Sequence, residues 1–371
     1  MDTAPGGHRW EPAVYEHKAA LISRSPAEVS VSTDLLVEAL VAEHEVYRAD
    51  LITVGIDVYN LEAEALGAEP SVVDPHGCPE IRASLWTLDS LPHALEPPRV
   101  AAAGRFALML EAANRFRAYL DSRIAVRRAR PQVRVAASGP VSIAAKLVGA
   151  EDLLVGMLTD EPAAIRLLEF ATETAASWLA AIRDAGHDAI VFDSSASPPL
   201  LSPDLYRRAI APLHARLMSV LAASGQRERA LVMGGDTTDI VSAILGAGAT
   251  SIVCDYSVDA GSFATAIANA GRSPYPAEAF VEATPNAVGS PGGAVSARGP
   301  LSVVRRNFDP RRLAAPPESG ELAEFVSGFR ALAAAPCSVV VGTGILPYGQ
   351  DPGNVVAFLE ELGRECTWQK L

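Results

Sequence analysis

Histidine and cysteine are scarce in this chain. Seven histidines and four cysteines are spread over 371 residues. The cysteines (Cys78, Cys254, Cys337 and Cys366) fall at no paired spacing. This excludes a disulfide framework and a Cys-x-x-Cys zinc motif. Free thiols in a reducing cytoplasm are the expectation. Basic residues are also few: 31 Lys and Arg against 44 Asp and Glu leave a net charge of −13. Phosphate contact needs clustered Lys and Arg, so nucleic acid is not an expected partner. The one basic cluster, Arg127–Arg130, reads as a solvated helix end. No apolar run reaches membrane-spanning length, and Met1–Pro12 is polar. Neither a membrane span nor a secretory signal is therefore expected. Aromatics make up only 6%, which suits tight helix–sheet packing better than an aromatic binding surface.

What is abundant is aliphatic. Hydrophobic residues make up 49% of the chain, enough for a sizeable core, and Ala, Val and Leu dominate. Short β-like runs end repeatedly in a carboxylate, amide or hydroxyl. Leu51–Gly55 runs into Asp57, and Asp188–Phe192 into Asp193-Ser194-Ser195. Ala230–Gly234 leads to Asp236-Thr237-Thr238, and Ser251–Cys254 to Asp255-Tyr256. Ser302–Arg305 leads to Asn307 and Asp309, and Ser338–Gly342 to Thr343. Helix-like segments follow most of these runs. Parallel strands alternating with helices put their C-terminal ends on one rim, which predicts a (β/α)8 TIM barrel with its site there.

Residues 1–30 read as an irregular arm and 31–371 as a single barrel domain. Helices are expected over Thr33–Asp50, Leu61–Leu66, Gly104–Leu120, Val141–Leu147, Glu151–Leu158, Pro162–Ala185, Pro203–Ser224, Asp239–Gly246, Phe263–Ala270 and Gly353–Glu365. Thr33 or Asp34 can cap the first of these. Val133–Ala137 is a further strand, and Ser71–Val73 is counted as the eighth. Residues 272–300 are rich in Pro, Gly, Ala and Ser. They read as a flexible insertion, either a lid over the site or a passive surface loop.

The candidate site residues each carry a plain alternative. Asp57 either acts in the site or caps the helix that follows it. Tyr59 and Asn60 share its turn. Asp193 and Ser194 either act or brace a loop; no histidine is evidently paired with Ser194 for nucleophilic work. Asp236 resembles an N-cap, whose amides can cradle an anion. Asp255 and Tyr256 end a very apolar strand, which suits an acid for general acid–base work. Arg305 and Arg306 precede Asn307. Strand alternation sends one arginine inward, where it can clamp a carboxylate or pair with Asp255. Cys254 reads as core.

The segment Val54-Gly55-Ile56-Asp57-Val58-Tyr59-Asn60-Leu61-Glu62-Ala63-Glu64-Ala65-Leu66-Gly67 resembles the first strand–helix unit of the uroporphyrinogen decarboxylase superfamily. Ser138-Gly139-Pro140, Phe192-Asp193-Ser194, Leu201-Ser202-Pro203 with Tyr206, Gly235-Asp236-Thr237, Asn307-Phe308-Asp309-Pro310 and Gly342-Thr343-Gly344-Ile345-Leu346-Pro347 follow in the same order. The resemblance covers roughly residues 33–365 and implies a TIM barrel. The superfamily holds heme-pathway decarboxylases and zinc-dependent methyltransferases that work between a corrinoid and a thiol. The methyltransferase zinc ligands correspond here to Val232, Gly234 and Ile345, which cannot bind zinc through a side chain. His76-Gly77-Cys78 has a ligand-like spacing but lies in another loop. On the decarboxylase side, Asp57 falls near the catalytic aspartate and Thr343 replaces a substrate-contacting histidine. The Arg-rich motif that grips porphyrin carboxylates is missing; the arm offers only Arg9 and Arg24.

The resemblance and the rim together imply an enzyme without a metal or other cofactor that acts on a small carboxylate-bearing molecule. Its expected chemistry is carbon–carbon lysis of the decarboxylase type, in a specialised pathway. Asp57, Tyr59, Asp193 and Asp255 are the expected catalytic residues. Asn60, Ser194, Asp236, Tyr256, Arg305, Arg306, Asn307 and Thr343 are the expected substrate contacts. Methyl transfer without the zinc and a silent small-molecule or corrinoid-protein binding barrel are the alternatives. The apolar face of Pro162–Ala185 allows a homodimer.

Overall fold

Eight parallel strands form one sheet in the computed structural model, which describes residues 9–98, 104–123, 130–198, 200–270, 301–315, 319–335 and 337–365. In chain order they are β1 (Trp10–Ala13), β2 (Leu51–Val54), β3 (Gln132–Ser138), β4 (Asp188–Phe192), β5 (Ala230–Val232), β6 (Ser251–Cys254), β7 (Val303–Phe308) and β8 (Ser338–Ile345). Neighbours run β1-β8-β7-β6-β5-β4-β3-β2, all parallel. At the seam, Asp50 N donates to Trp10 O at 2.9 Å, and Trp10 N donates to the Asp50 carboxylate at 2.7 Å. The sheet thus curls into the expected (β/α)8 TIM barrel.

Helices fill the connections. Between β1 and β2 lie α1 (His17–Leu21), α2 (Pro26–Ser30) and α3 (Thr33–Tyr47). Then come α4 (Leu61–Ala65), α5 (Gly104–Arg123), α6 (Pro140–Val148), α7 (Ala150–Thr159) and α8 (Glu161–Asp184). Next are α9 (Ala211–Ala223), α10 (Val241–Gly246), α11 (Ala260–Ala270), α12 (Ser319–Ala333) and α13 (Pro352–Glu365). Several begin where a cap or a proline favours them. Ser32, rather than Thr33 or Asp34, accepts from Leu35 N and starts α3, since the cap must precede the first helical residue. Pro140 opens α6 and Pro352 opens α13, positions where a missing N–H costs nothing. Trp178 of α8 is fully buried and donates to Ala136 O of β3 at 2.9 Å. Its ring lies 4.3 Å from Phe106 of α5. Among the described residues no helix is long and apolar enough to cross a membrane.

Three expectations change. Ser71–Val73 is not a barrel strand. Pro70–Ser71 pairs only with Glu80–Ile81, in a separate antiparallel hairpin. The barrel's remaining strand is β1, inside the segment read as an irregular arm. Its sequence, Trp10-Glu11-Pro12-Ala13, alternates poorly, and pairing with β8 makes it a strand. Residues 203–224 do not form one helix. A turn at Pro203–Leu205 and a wider i→i+5 turn at Tyr206–Ile210 precede α9. Pro212 sits in the first turn of α9 and cannot donate, so the helical ladder shifts there. The insertion 272–300 lies outside the described residues.

Charge is concentrated where the strands begin. Arg134 is 1% exposed and pairs with Glu228 at 2.9 Å; both Glu228 oxygens also accept from Arg9. Burial alone raises the Glu228 carboxyl, but bonds to Arg9 and Arg134 outweigh it and bring it down to about 2. A depressed acid stabilises the fold above its unfolded value, and that contribution fades as pH falls toward the folded value. Glu228→Gln should therefore cost about 3 kcal/mol at pH 7, with a much smaller difference at pH 3. Urea unfolding of both proteins at the two pH values checks this.

Candidate active site

The strand ends surround a cavity of about 360 Å³ at the C-terminal mouth of the barrel. Its polar side is formed by Tyr15, Tyr59, Ser194, Asp255, Arg305 and Asn307. Phe192, Val232, Met233, Val253 and Ile345 form the apolar side. Phe192 sits between two tyrosines, edge-on to Tyr15 at 5.6 Å and to Tyr59 at 6.3 Å.

Arg305 is the one cation among this cavity's described lining residues. Strand alternation points it inward, whereas Arg306 points outward. Arg306 Nη1 donates to Asp255 O at 2.6 Å and to Val258 O at 3.0 Å. Its role is to brace the β6–α11 turn, so the expected substrate contact there is corrected. Arg305 is 7% exposed and forms no ion pair among the described residues, and its Nε has no hydrogen-bond partner. Gly342 makes the room: a Cβ at that position would lie 2.7 Å from Arg305 Cγ and Cδ. At Gly344 a Cβ would lie 2.8 Å from Tyr256 Cε1 and from Pro310 Cδ. The two glycines flanking Thr343 therefore leave space for the side chains that shape the cavity. Burial pushes the Tyr15 phenol up, against the pull of the adjacent Arg305 guanidinium. Burial also raises the Tyr59 phenol, whose oxygen lies 2.9 Å from Ser194 Oγ. Both phenols are thus neutral hydrogen-bond donors at neutral pH.

Of the residues expected in the site, Tyr59, Ser194, Asp255, Tyr256, Arg305, Asn307 and Thr343 line the cavity. Thr343 is fully buried, and its Oγ1 accepts from Ala13 N at 3.2 Å, tying β8 to β1. Asp57, Asn60, Asp193 and Asp236 are not part of the wall. Gly55, at φ 121°, turns the chain after β2. Asp57 then meets Arg105 of α5 at 2.9 Å and accepts from Asn60 Nδ2 at 2.9 Å. Asn60 also donates to Pro79 O at 2.7 Å. Asp193 is fully buried under the start of α6 and accepts from Ser142 N at 2.7 Å. Its other oxygen lies 2.8 Å from His214 Nε2, and His214 Nδ1 meets the Tyr206 hydroxyl at 3.0 Å. The histidine that no spacing linked to this strand end therefore belongs to Asp193, not to Ser194. Asp236 is exposed and caps its own turn through Thr238 N at 3.0 Å.

Sequence reasoning missed Tyr15, because it follows a strand read as part of an irregular arm. Val232, Gly234 and Ile345, which the family resemblance matches to methyltransferase zinc ligands, do meet in this cavity. Among its described lining residues there is no Cys or His, and Asp255 is the one carboxylate. That donor set does not suit zinc. Elsewhere, His76 stacks on Tyr348 at 4.6 Å, while Cys78 Sγ donates to Ile56 O at 3.2 Å. Among the described residues no group of three or more His, Cys, Asp or Glu side chains comes together as a metal site. Cys254 is fully buried, and burial pushes its thiol up to about 11, as befits a core cysteine.

Fold and cavity together define a TIM barrel with an inward arginine at its C-terminal mouth. The family model for uroporphyrinogen decarboxylase (URO-D) matches residues 13–273, and the chain belongs to that family. A solved methyltransferase from Methanosarcina mazei is similar over 100% of this chain and 95% of its own, with a TM-score of 0.72 and 15% identity. At that identity the likeness is one of fold. No curated protein matches the chain.

The geometry separates bracing carboxylates from available ones. Asp193→Ala strands His214 and two helix amides in the interior and should cost about 3 kcal/mol. Asp255 is half-exposed, and Asp255→Ala should cost less than about 1 kcal/mol. Denaturant unfolding of both variants measures the difference.

Proposed function

We propose that this member of the family is an enzyme that binds a small carboxylate-bearing substrate and cleaves a carbon–carbon bond by decarboxylation, with no zinc in the cavity. The observation that carries the reading is Arg305. A buried guanidinium without a carboxylate partner is costly unless an anion meets it. A carboxylate matches its fork in two hydrogen bonds. The cavity, about 360 Å³, is at the small end of ligand pockets, roughly 300–1,000 Å³. With a single guanidinium among its described lining residues it suits a small acid and not a tetrapyrrole bearing many carboxylates.

In this reading Arg305 anchors one carboxylate, and Tyr59, held by Ser194, orients the substrate. The carboxylate that leaves lies against Val232, Met233, Val253 and Ile345. There its conversion from anion to neutral CO2 is favoured by the loss of water. The electron pair stays on the substrate carbon and is taken up by a proton. Asp255, half-exposed on the rim, relays that proton from solvent. Asp57, expected in the catalytic role, instead holds the turn through Arg105. Methyl transfer without zinc is the second reading, and its support is the likeness of fold to the methyltransferase.

The test is a thermal-shift screen against small carboxylic acids, methyl donors and corrinoids, followed by assay of each hit for CO2 release. Ligands of the folded state raise the melting temperature by mass action. The expected result is a shift with a carboxylic acid and CO2 release, both lost in Arg305→Gln. A shift only with methyl donors or corrinoids favours the second reading.

A further inference from the structure

Arg305 Nε is not the cavity's sole unpartnered buried atom, although the guanidinium also meets the Tyr15 hydroxyl. Asn307 lies two residues along β7, so both side chains share the inner face of the strand. Both are buried, at 7% and 4% exposure, and both line the cavity. They converge on Gly342: a Cβ there would lie 2.7 Å from Arg305 Cδ and 2.8 Å from Asn307 Oδ1. Two atoms at this point have no partner, the Arg305 Nε donor and the Asn307 Oδ1 acceptor. Buried polar atoms are rarely left so, and an absent ligand is one of the physical reasons they are. A bare carboxylate satisfies the arginine but offers the amide oxygen nothing. The complementary ligand carries an acceptor for Arg305 and, beside it, a donor for Asn307.

We infer that the cavity selects a 2-hydroxy carboxylic acid with an apolar body, the carboxylate on Arg305 and the hydroxyl on Asn307. The donor is neutral because an ammonium at that point would face the Arg305 guanidinium at close range. The body is apolar because Phe192, Val232, Met233, Val253 and Ile345 form the facing wall. Two of those positions, Val232 and Ile345, and the neighbouring Gly234 are the ones the family resemblance matches to zinc ligands; here they extend the apolar surface. The inference rests on the anchoring half of the carboxylate reading above and adds the donor to it. The departing carboxylate is a second one carried on the body, so the acids below, which hold only the anchored one, report binding and not turnover.

Calorimetric titration with matched pairs of acids tests it: glycolate with acetate, lactate with propionate, and mandelate with phenylacetate. Within each pair only the hydroxyl differs. The expected result is about tenfold or tighter binding of the hydroxy acid in each pair, with mandelate the tightest of all. Asn307→Leu, of similar shape, should bring the members of each pair to equal affinity. Arg305→Gln should weaken both members alike. Equal binding within the pairs by the wild-type protein overturns the 2-hydroxy inference and leaves the carboxylate reading standing. Binding of none of the acids overturns both.

Discussion

The structure turns on a buried guanidinium that the protein itself does not neutralise. Arg305 enters the barrel mouth because β7 alternates and because Gly342 leaves its side chain room. In low-dielectric surroundings such a charge is tolerated when a partner or water meets it. Other buried cations in the chain have partners. Lys18 is fully buried and lies 3.0 Å from Glu43, and Arg134 and Arg105 face Glu228 and Asp57. Arg305 differs from them in having a cavity in front of it. This asymmetry gives the cavity its polarity, with one cation at its polar side and an apolar wall opposite.

The same sorting explains which carboxylates on the rim are free to act. Asp57 and Asp193 are committed to holding the barrel together, the first through Arg105 and the second through His214 and the start of α6. Gly139 makes the second arrangement possible: a Cβ there would lie 2.4 Å from the Asp193 side chain. Among the described residues the Asp255 carboxylate bonds only within its own turn, to Ser257, and keeps access to both solvent and cavity. Asp57 and Asp193, outside the cavity wall, are not placed to meet a substrate.

Much of this was legible in the sequence, and what was not had a physical cause. Strands such as Ser251–Cys254 announce themselves as short apolar runs followed by polar residues. The inward placing of one arginine of Arg305-Arg306 follows from strand parity alone. The rim came from that rhythm, as did the twelve residues expected in the site, of which seven line the cavity. β1 was not legible, because Trp10-Glu11-Pro12-Ala13 owes its conformation to pairing with β8, far away in the chain. Tyr15 was lost with it. The bracing roles of Asp57 and Asp193 depend on Arg105 and on His214, the latter 21 residues beyond its partner and on a different element. Local spacing carries no record of such contacts. Hence an aspartate at a strand end looks the same whether it faces a substrate or a buried partner.

The most direct test of the account is an experimental structure of the protein with its tightest-binding carboxylic acid. The account predicts the acid inside the barrel mouth, its oxygens about 2.7–2.9 Å from the Arg305 guanidinium, with the apolar part against Val232 and Ile345. A guanidinium paired instead with a carboxylate of the protein such as Asp255, and an acid bound elsewhere, would contradict it.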